Sequence, residues 1–380
     1  MNTPAVALTI LKCTQHACSP VIETEITPDA LAAYGPGEGN TRAIVFVDTT
    51  VWQRHKASLD ASFRAAYDNV DVVTLSGGEI SKRWDILRDV LEHMLNLRID
   101  RRCDAVFAIG GGTVLDVVGL AASIYRRGIS LTKIPTSLMA QVDAAVGLKN
   151  AINFSGCKNL VGSFAPPHSV LVDFRFLETL PQRDWANGIA EVIKLGLVSD
   201  ASLIYELAEI VPLLPVSPVG PALRQVLRKA IRGIVERLNV DAYESNLQRV
   251  LDFGHWLSPQ LEMAGGSLLH GEAVSIDMAV TLTISLRRGL LAAHEWRAAL
   301  AVFFAWDLPT THNAITVNLV QESLDKTSRH RGGEQNIPLC TGLGEHTFVS
   351  NIDVDEVLLA HRHLVHYLVA HPAKCPTTFA

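Results

Sequence analysis

Three short segments carry side chains able to hold a metal ion. Ala190-Glu191-Val192-Ile193-Lys194 lies in a helical pattern, so Glu191 and Lys194, three residues apart, share a face. Asp252-Phe253-Gly254-His255 and Leu268-Leu269-His270-Gly271-Glu272 each add a histidine. One glutamate and two histidines (Glu191, His255 and His270) form a common ligand set for catalytic zinc, with a position left open for water or substrate. The same donors suit cobalt. The chain has 14 histidines, so accidental pairs are expected. On spacing alone each of the two could equally be a satisfied core or surface residue.

Glycine suggests a second chemistry. The apolar run at residues 106–109 leads into Gly110, Gly111 and Gly112, then Thr113-Val114-Leu115-Asp116 and a helical pattern. Glycines let the backbone approach a pyrophosphate closely, and the following helix N-terminus presents free N–H groups. The pattern is not G-x-G-x-x-G, because Leu115 stands where the last glycine belongs. A plain strand–helix turn is the alternative. Ser76-Gly77-Gly78-Glu79-Ile80-Ser81-Lys82 follows another apolar run. Glu79 there could accept hydrogen bonds from ribose hydroxyls, or the segment could be an ordinary helix start with a capping serine. Lys149, Lys158 and Lys194, with Arg127, Arg249, Arg329 and Arg331, offer donors for a phosphorylated substrate. The alternative for these is a set of solvated surface charges.

The elements that must position these groups are of two kinds. Residues 43–47, 70–75 and 105–109 read as buried strands, and residues 82–96 read as a helix with apolar Ile86, Leu87, Val90, Leu91 and Met94. Short apolar runs alternating with helices predict a parallel α/β architecture. Beyond about residue 180 the patterns at 185–197, 203–207, 221–238, 270–288 and 294–304 are all helical. The prolines at 212, 215, 218 and 221 mark a turn between helices. The expected organisation is an α/β N-terminal nucleotide-binding domain over residues 1–180 and a mostly α-helical metal- and substrate-binding domain over residues 181–380.

Composition excludes several classes. With 380 residues, two domains are the prior. A 48% hydrophobic, 19% charged chain fits a large core, not disorder. A net charge of −6 argues against wrapping nucleic acid, while a local basic pocket for a small anion remains compatible with it. The six cysteines form no CxxC pair, so neither a zinc knuckle nor a disulfide scaffold is indicated. No apolar run is long enough for a membrane span, and the N-terminus lacks a signal-peptide pattern. The expected location is therefore cytoplasmic.

Taken in order, the motifs resemble the dehydroquinate synthase superfamily. They are Ala108-Ile109-Gly110-Gly111-Gly112-Thr113-Val114-Leu115-Asp116, Tyr125-Arg126-Arg127-Gly128, residues 134–143 ending in Asp143, Gly147-Leu148-Lys149, Lys158-Asn159, Glu178-Thr179-Leu180-Pro181, Ala190 to Lys194, Asp252 to His255, and His270-Gly271-Glu272. The resemblance covers roughly residues 40–350. It implies that Glu191, His255 and His270 hold the metal. It implies an NAD site at Gly110, Gly111, Gly112, Asp116, Thr136, Ser137, Asp143, Lys158 and Thr179, with Asp48, Glu79 and Lys82 at the adenosine end. Lys149, Asn159 and Lys194 match substrate-contacting positions. Arg127 matches an arginine that reaches the phosphate in the neighbouring subunit of a family homodimer.

Departures from dehydroquinate synthase concentrate at residues 248–259. An arginine that holds the substrate carboxylate falls on Gln248, with Arg249 one place along; a substrate-contacting asparagine becomes Asp252; a second histidine becomes Pro259. An aspartate accepts from a hydroxyl but repels a carboxylate, and loss of the arginine removes a bidentate clamp. Asp252-Phe253-Gly254-His255 with Ser258-Pro259, and Arg329-His330-Arg331-Gly332-Gly333, are similar to the cyclases that use sedoheptulose 7-phosphate. That resemblance implies an NAD- and metal-dependent cyclase making a C7 cyclitol, 2-epi-5-epi-valiolone first among the products, then 2-epi-valiolone or demethyl-4-deoxygadusol. Catalytic-side residues on this reading are Lys149, Lys194, Asn159, Asp252, Arg249, Arg127 and Arg329. Asn150, Trp256 and Leu257 depart from the commoner residues of those cyclases. A metal-dependent alcohol or glycerol dehydrogenase, and a non-enzymatic binding module, are the rival readings.

Overall fold

The computed structural model describes residues 5–12, 18–36, 41–210, 219–264 and 266–371. The proline-rich turn falls mostly at 211–218, outside the described residues. The chain forms two compact units, one of residues 1–180 with 238–243 and the other of residues 181–237 with 244–380. Among the described residues no helix is long and apolar enough to cross a membrane.

The first unit is built on one seven-stranded sheet. In chain order its elements are β1 (Val6–Lys12), β2 (Cys18–Glu23), α1 (Pro28–Tyr34), β3 (Arg42–Asp48), α2 (Thr49–Ala66), β4 (Asn69–Leu75), α3 (Trp84–Asn96), β5 (Asp104–Gly110), α4 (Gly112–Ile124), β6 (Leu131–Pro135), the hairpin strands β7 (Lys149–Phe154) and β8 (Cys157–Phe164), and β9 (Ser169–Val172). The sheet order is β1-β2-β9-β6-β5-β3-β4, parallel throughout except for the β1–β2 pair. β3 and β5 are buried along their lengths, which explains their continuous apolar runs. Because β3, β4, β5 and β6 are parallel, their C-terminal ends share one edge. That edge carries Asp48, the Gly77–Glu79 turn, Gly110 to Gly112, and Thr136. The helix expected over 82–96 is α3, which begins two residues later at Trp84 after a short 3-10 turn at Glu79–Ser81.

The second unit is mainly helical: α5 (Gln182–Val198), α6 (Ser202–Ile210), α7 (Pro221–Leu238), α8 (Ser258–Ala264), α9 (His270–Arg287), α10 (Ala293–Ala305), α11 (Val317–His330), the hairpin β10 (Ile337–Gly342) and β11 (Glu345–Val349), and α12 (Val354–Ala370). Every residue of α9 from Gly271 to Ser285 is buried. A helix covered on all sides belongs at the centre of a core, and α5, α8, α10, α12 and β10 all pack on it. Its buried hydroxyls are satisfied locally: Thr281 and Thr283 accept from the indole N–H groups of Trp256 and Trp296 at 2.9 and 3.0 Å. At Gly271 the two helices that carry the glutamate and one histidine touch. A Cβ there would lie 2.0 Å from the backbone oxygen of Asn187 in α5.

Candidate functional site

Glu191 projects from the middle of α5, His255 lies on the loop before α8, and His270 opens α9. Their ligand atoms all lie within 4.8 Å of one another. His255 Nε2 is 3.8 Å and His270 Nε2 3.6 Å from Glu191 Oε1, too long for hydrogen bonds. Glu191 is fully buried, and its Oε1 has no hydrogen-bond partner. The Lys194 ammonium, one helical turn on, meets Oε2 and balances the charge. Burial opposes the charge on Glu191, yet Lys194 and the two imidazoles outweigh it and hold the carboxyl well below the usual range.

Each imidazole is held by its other nitrogen. His255 Nδ1 lies 3.1 Å from the Phe253 carbonyl, and His270 Nδ1 lies 3.0 Å from Glu262 Oε1. With Nδ1 donating, a neutral ring has its lone pair on Nε2, the nitrogen turned to Glu191, which is the arrangement that metal-binding histidines use. A carboxylate whose Oε1 has no hydrogen bond and two such nitrogens fit a zinc or cobalt ion. Glu262 was not legible as part of this site, because its contact depends on how α8 packs.

The loop carrying His255 is held from beneath. Asp277 of α9, fully buried, accepts from the backbone N–H groups of Leu257 and Ser258 at 2.7 and 2.9 Å and from the Thr281 hydroxyl at 3.1 Å. Burial pushes its carboxyl up to about 6 against the pull of those bonds. Trp256 and Leu257 face the core here, and Pro259 stands in the first turn of α8, where no N–H is needed. In the first unit Asn150 likewise packs inward: its amide bonds the carbonyls of Leu148 and Ala165, and a Cβ at Gly119 would overlap it. These departures thus carry packing roles.

Beside the Glu191, His255 and His270 cluster, Asp252 Oδ2 accepts from Arg249 at 2.7 and 3.0 Å and from Arg331 at 2.7 Å. Arg249 also pairs with Glu244. Burial opposes ionisation of Asp252, but the two guanidiniums hold its carboxyl below the usual range. Arg329 does not join them. It is exposed and donates to the Asp325 carbonyl of its own helix at 3.2 Å.

On the sheet edge of the first unit, Gly111 caps α4 with no side-chain hydrogen bond to the first turn. The N–H groups there are open to an anion. Cβ atoms at Gly111 and Gly112 would touch Ser137 and Ala144 at 3.4 Å, so the turn is bare because its residues are small. Lys82 and Asp116 form a buried ion pair at 2.5 Å. Glu79 accepts from Asn153 at 2.8 Å and lies 3.6 Å from Lys158. Asp48 caps α2 through Oδ1, and its Oδ2 occupies the space a Cβ at Gly77 would need. Thr179 is contacted by His55 at 3.1 Å, and Asp143 lies half-buried in the short π-helix Ala140–Ala144 after β6. The bare helix start and the acids around it fit a dinucleotide. Lys149, Asn159 and Arg127 are exposed on this unit, at the start of β7, within β8 and in the turn after α4.

Two family models match the chain: the 3-dehydroquinate synthase N-terminal model over residues 72–187 and the C-terminal model over residues 188–329. A 2-epi-5-epi-valiolone synthase of Actinoplanes sp. is 37% identical over 346 residues, 88% of this chain and 87% of that protein. A 3-dehydroquinate synthase of Caulobacter vibrioides is 35% identical over 326 residues, 84% of this chain and 87% of that protein. Among solved structures, ValA, a 2-epi-5-epi-valiolone synthase of Streptomyces hygroscopicus subsp. jinggangensis with NAD+ and Zn2+ bound, superposes with a TM-score of 0.88 at 34% identity, over 94% of this chain and 99% of that one.

Proposed function

This chain belongs to the 3-dehydroquinate synthase family, and on that basis we propose that it cyclises sedoheptulose 7-phosphate to the C7 cyclitol 2-epi-5-epi-valiolone. It acts as a phosphate-eliminating carbon–oxygen lyase in the cytoplasm, as a homodimer, in the biosynthesis of a secondary metabolite. NAD and a zinc or cobalt ion are its cofactors.

The state of Arg249 carries the choice of substrate. A carboxylate-bearing heptulosonate calls for a free guanidinium. Here Gln248 stands at the clamp position, and Arg249 is taken up by Glu244 and Asp252. Arg249 and Arg331 carry two positive charges, Glu244 and Asp252 two negative ones, so this corner is balanced without a substrate carboxylate. The valiolone synthases among the relatives support the same reading.

Glu191, His255 and His270 would hold the metal, and Gly110 to Gly112, Asp116, Thr136, Ser137, Asp143, Lys158 and Thr179 the dinucleotide, with Asp48, Glu79 and Lys82 at its adenosine end. When bound, NAD supplies a hydride acceptor that gives the hydride back within the turnover, and the metal polarises hydroxyl and ketone oxygens. The net reaction expels phosphate and forms one carbon–carbon bond with no change of oxidation state. Lys194, buried beside Glu191, stabilises negative charge on a substrate oxygen in a site little screened by water. Asp252 accepts from a substrate hydroxyl. Lys149, Asn159 and Arg127 are assigned to the substrate side from the family resemblance, whereas Arg249 acts through Asp252 and Arg329 is bonded to its own helix.

Incubation with sedoheptulose 7-phosphate, NAD+ and zinc or cobalt should release phosphate without net NADH and yield a cyclitol identified by NMR. Stoichiometric NADH would make the protein a dehydrogenase. Phosphate release only from the carboxylate-bearing heptulosonate would make it a 3-dehydroquinate synthase.

A further inference from the structure

Arg331 lies at the turn after α11, and its guanidinium is fixed at both ends. Nη1 donates to the carbonyls of Gln335 and Asn336 at 2.8 and 2.6 Å, and Nη2 donates to Asp252 Oδ2 at 2.7 Å. The side chain is 7% exposed, against 16% for Asp252. Arg249 approaches the same oxygen from the other direction in sequence, through Nε and Nη2. All three hydrogen bonds therefore fall on Oδ2. The network reaches the other altered position as well: Gln248 Nε2 lies 3.4 Å from Oδ1 of Asn336, the residue whose carbonyl anchors Arg331.

This geometry has a chemical consequence. A carboxylate with one oxygen saturated by guanidinium donors cannot rotate freely, and only its second oxygen remains to accept from a ligand. Arg249 cannot do this alone, because it is half-exposed and shared with Glu244. Arg331 is the buried member, and its anchors are backbone carbonyls that do not change with side-chain identity. We propose that Arg331 is a specificity-determining positioning residue, which holds Asp252 by Oδ2 so that Oδ1 serves as the acceptor for a substrate hydroxyl. The assignment rests on the sedoheptulose 7-phosphate reading.

The test is a double-mutant cycle with Arg331→Lys, Arg331→Met and Asp252→Asn, each checked for folding by circular dichroism and thermal melting, with steady-state phosphate release from sedoheptulose 7-phosphate. Arg331→Met should lower kcat/KM by about tenfold or more, mainly through KM, and Arg331→Lys should recover part of the loss. In the Asp252→Asn background the same Arg331 changes should cost less than about twofold, because the group they act through is gone. Equal losses in both backgrounds, or losses confined to kcat, would overturn the proposal, as would failure of both Arg331 variants to fold. If the wild-type protein itself releases no phosphate from this substrate, the substrate reading fails first and takes the proposal with it. A wild type that is active, with unaffected Arg331 variants, refutes the proposal alone.

Discussion

Glu262 Oε1 lies 3.0 Å from His270 Nδ1, while the opposite ring nitrogen, Nε2, faces Glu191 at 3.6 Å. The ring is thus gripped on the side away from the proposed metal, and its tautomer is set by that grip. Removing such a partner commonly lowers metal affinity by about 10- to 100-fold. Glu262→Ala should show a loss of that order in chelator competition. Glu262→Gln, whose amide oxygen still accepts from Nδ1–H, should lose less. Unchanged affinity in the alanine variant would remove Glu262 from the site.

Metal loading should displace a proton. Burial works against charge on His270, but the carboxylates of Glu191 and Glu262 on its two nitrogens more than offset this and lift it to about 10. Burial, with the Lys194 charge, pushes His255 down to about 4. At neutral pH the metal-free cluster therefore carries its proton on His270, and a metal ion must expel it. Calorimetry in buffers of different ionisation enthalpy should read release of about one proton at pH 7, with affinity falling as pH falls. No proton release would contradict this.

Gly271→Ala should separate the helices that carry the cluster. The new Cβ would meet the backbone of Asn187, with nothing flexible to yield. Overpacking of this kind costs about 1–3 kcal/mol, visible as a lowered melting temperature, and metal affinity should fall with it because His270 is the adjacent residue. Normal melting and normal affinity together would show that α5 and α9 can part without consequence.

Lys133 on β6 is fully buried, and its ammonium has no hydrogen-bond partner. Burial pushes it down to about 8 from 10.5, against the attraction of Asp116. Between those two values the folded chain has lost a proton that the unfolded chain keeps, so this residue's contribution to stability rises with pH across the window. Below pH 8 both states are charged, and the folded one bears the cost. Lys133→Met should therefore raise stability at pH 7 by about 1–3 kcal/mol, since Asp116 retains Lys82. The gain should shrink as melts are taken towards pH 10. A variant less stable than wild type at pH 7 would show that the ammonium is wanted where it is.

The parts of the fold legible in the sequence were those with a strong apolar pattern, including β4, which reads as a buried strand although only its Leu75 is buried. β3 and β5 announce themselves as apolar runs, and α9 as a long helical pattern. α2 did not, because among its 18 residues only Leu59 and Phe63 are buried, too narrow a stripe to stand out from a polar segment. The hairpin β10–β11 was missed for a different reason: its strands are short, and its apolar residues, Ile337, Leu339, Phe348 and Val349 among them, are few and interrupted by others. At the site, Glu191, His255 and His270 could be named from ordered motifs, but spacing cannot show that they converge. Arg331 and Glu262 were beyond reach as partners. Arg331 meets Asp252 across a long stretch of chain, and nothing near Glu262 in sequence marks it as more than a surface acid.

Asp277 holds the segment after His255 through main-chain N–H groups. Those contacts are blind to which side chains the segment carries. They fix the course of the backbone after His255, while Trp256 and Leu257 pack their side chains into the core below it. Loosening at Asp277 would therefore reach the proposed metal ligand His255 through the main chain, with no side chain of the cluster itself altered.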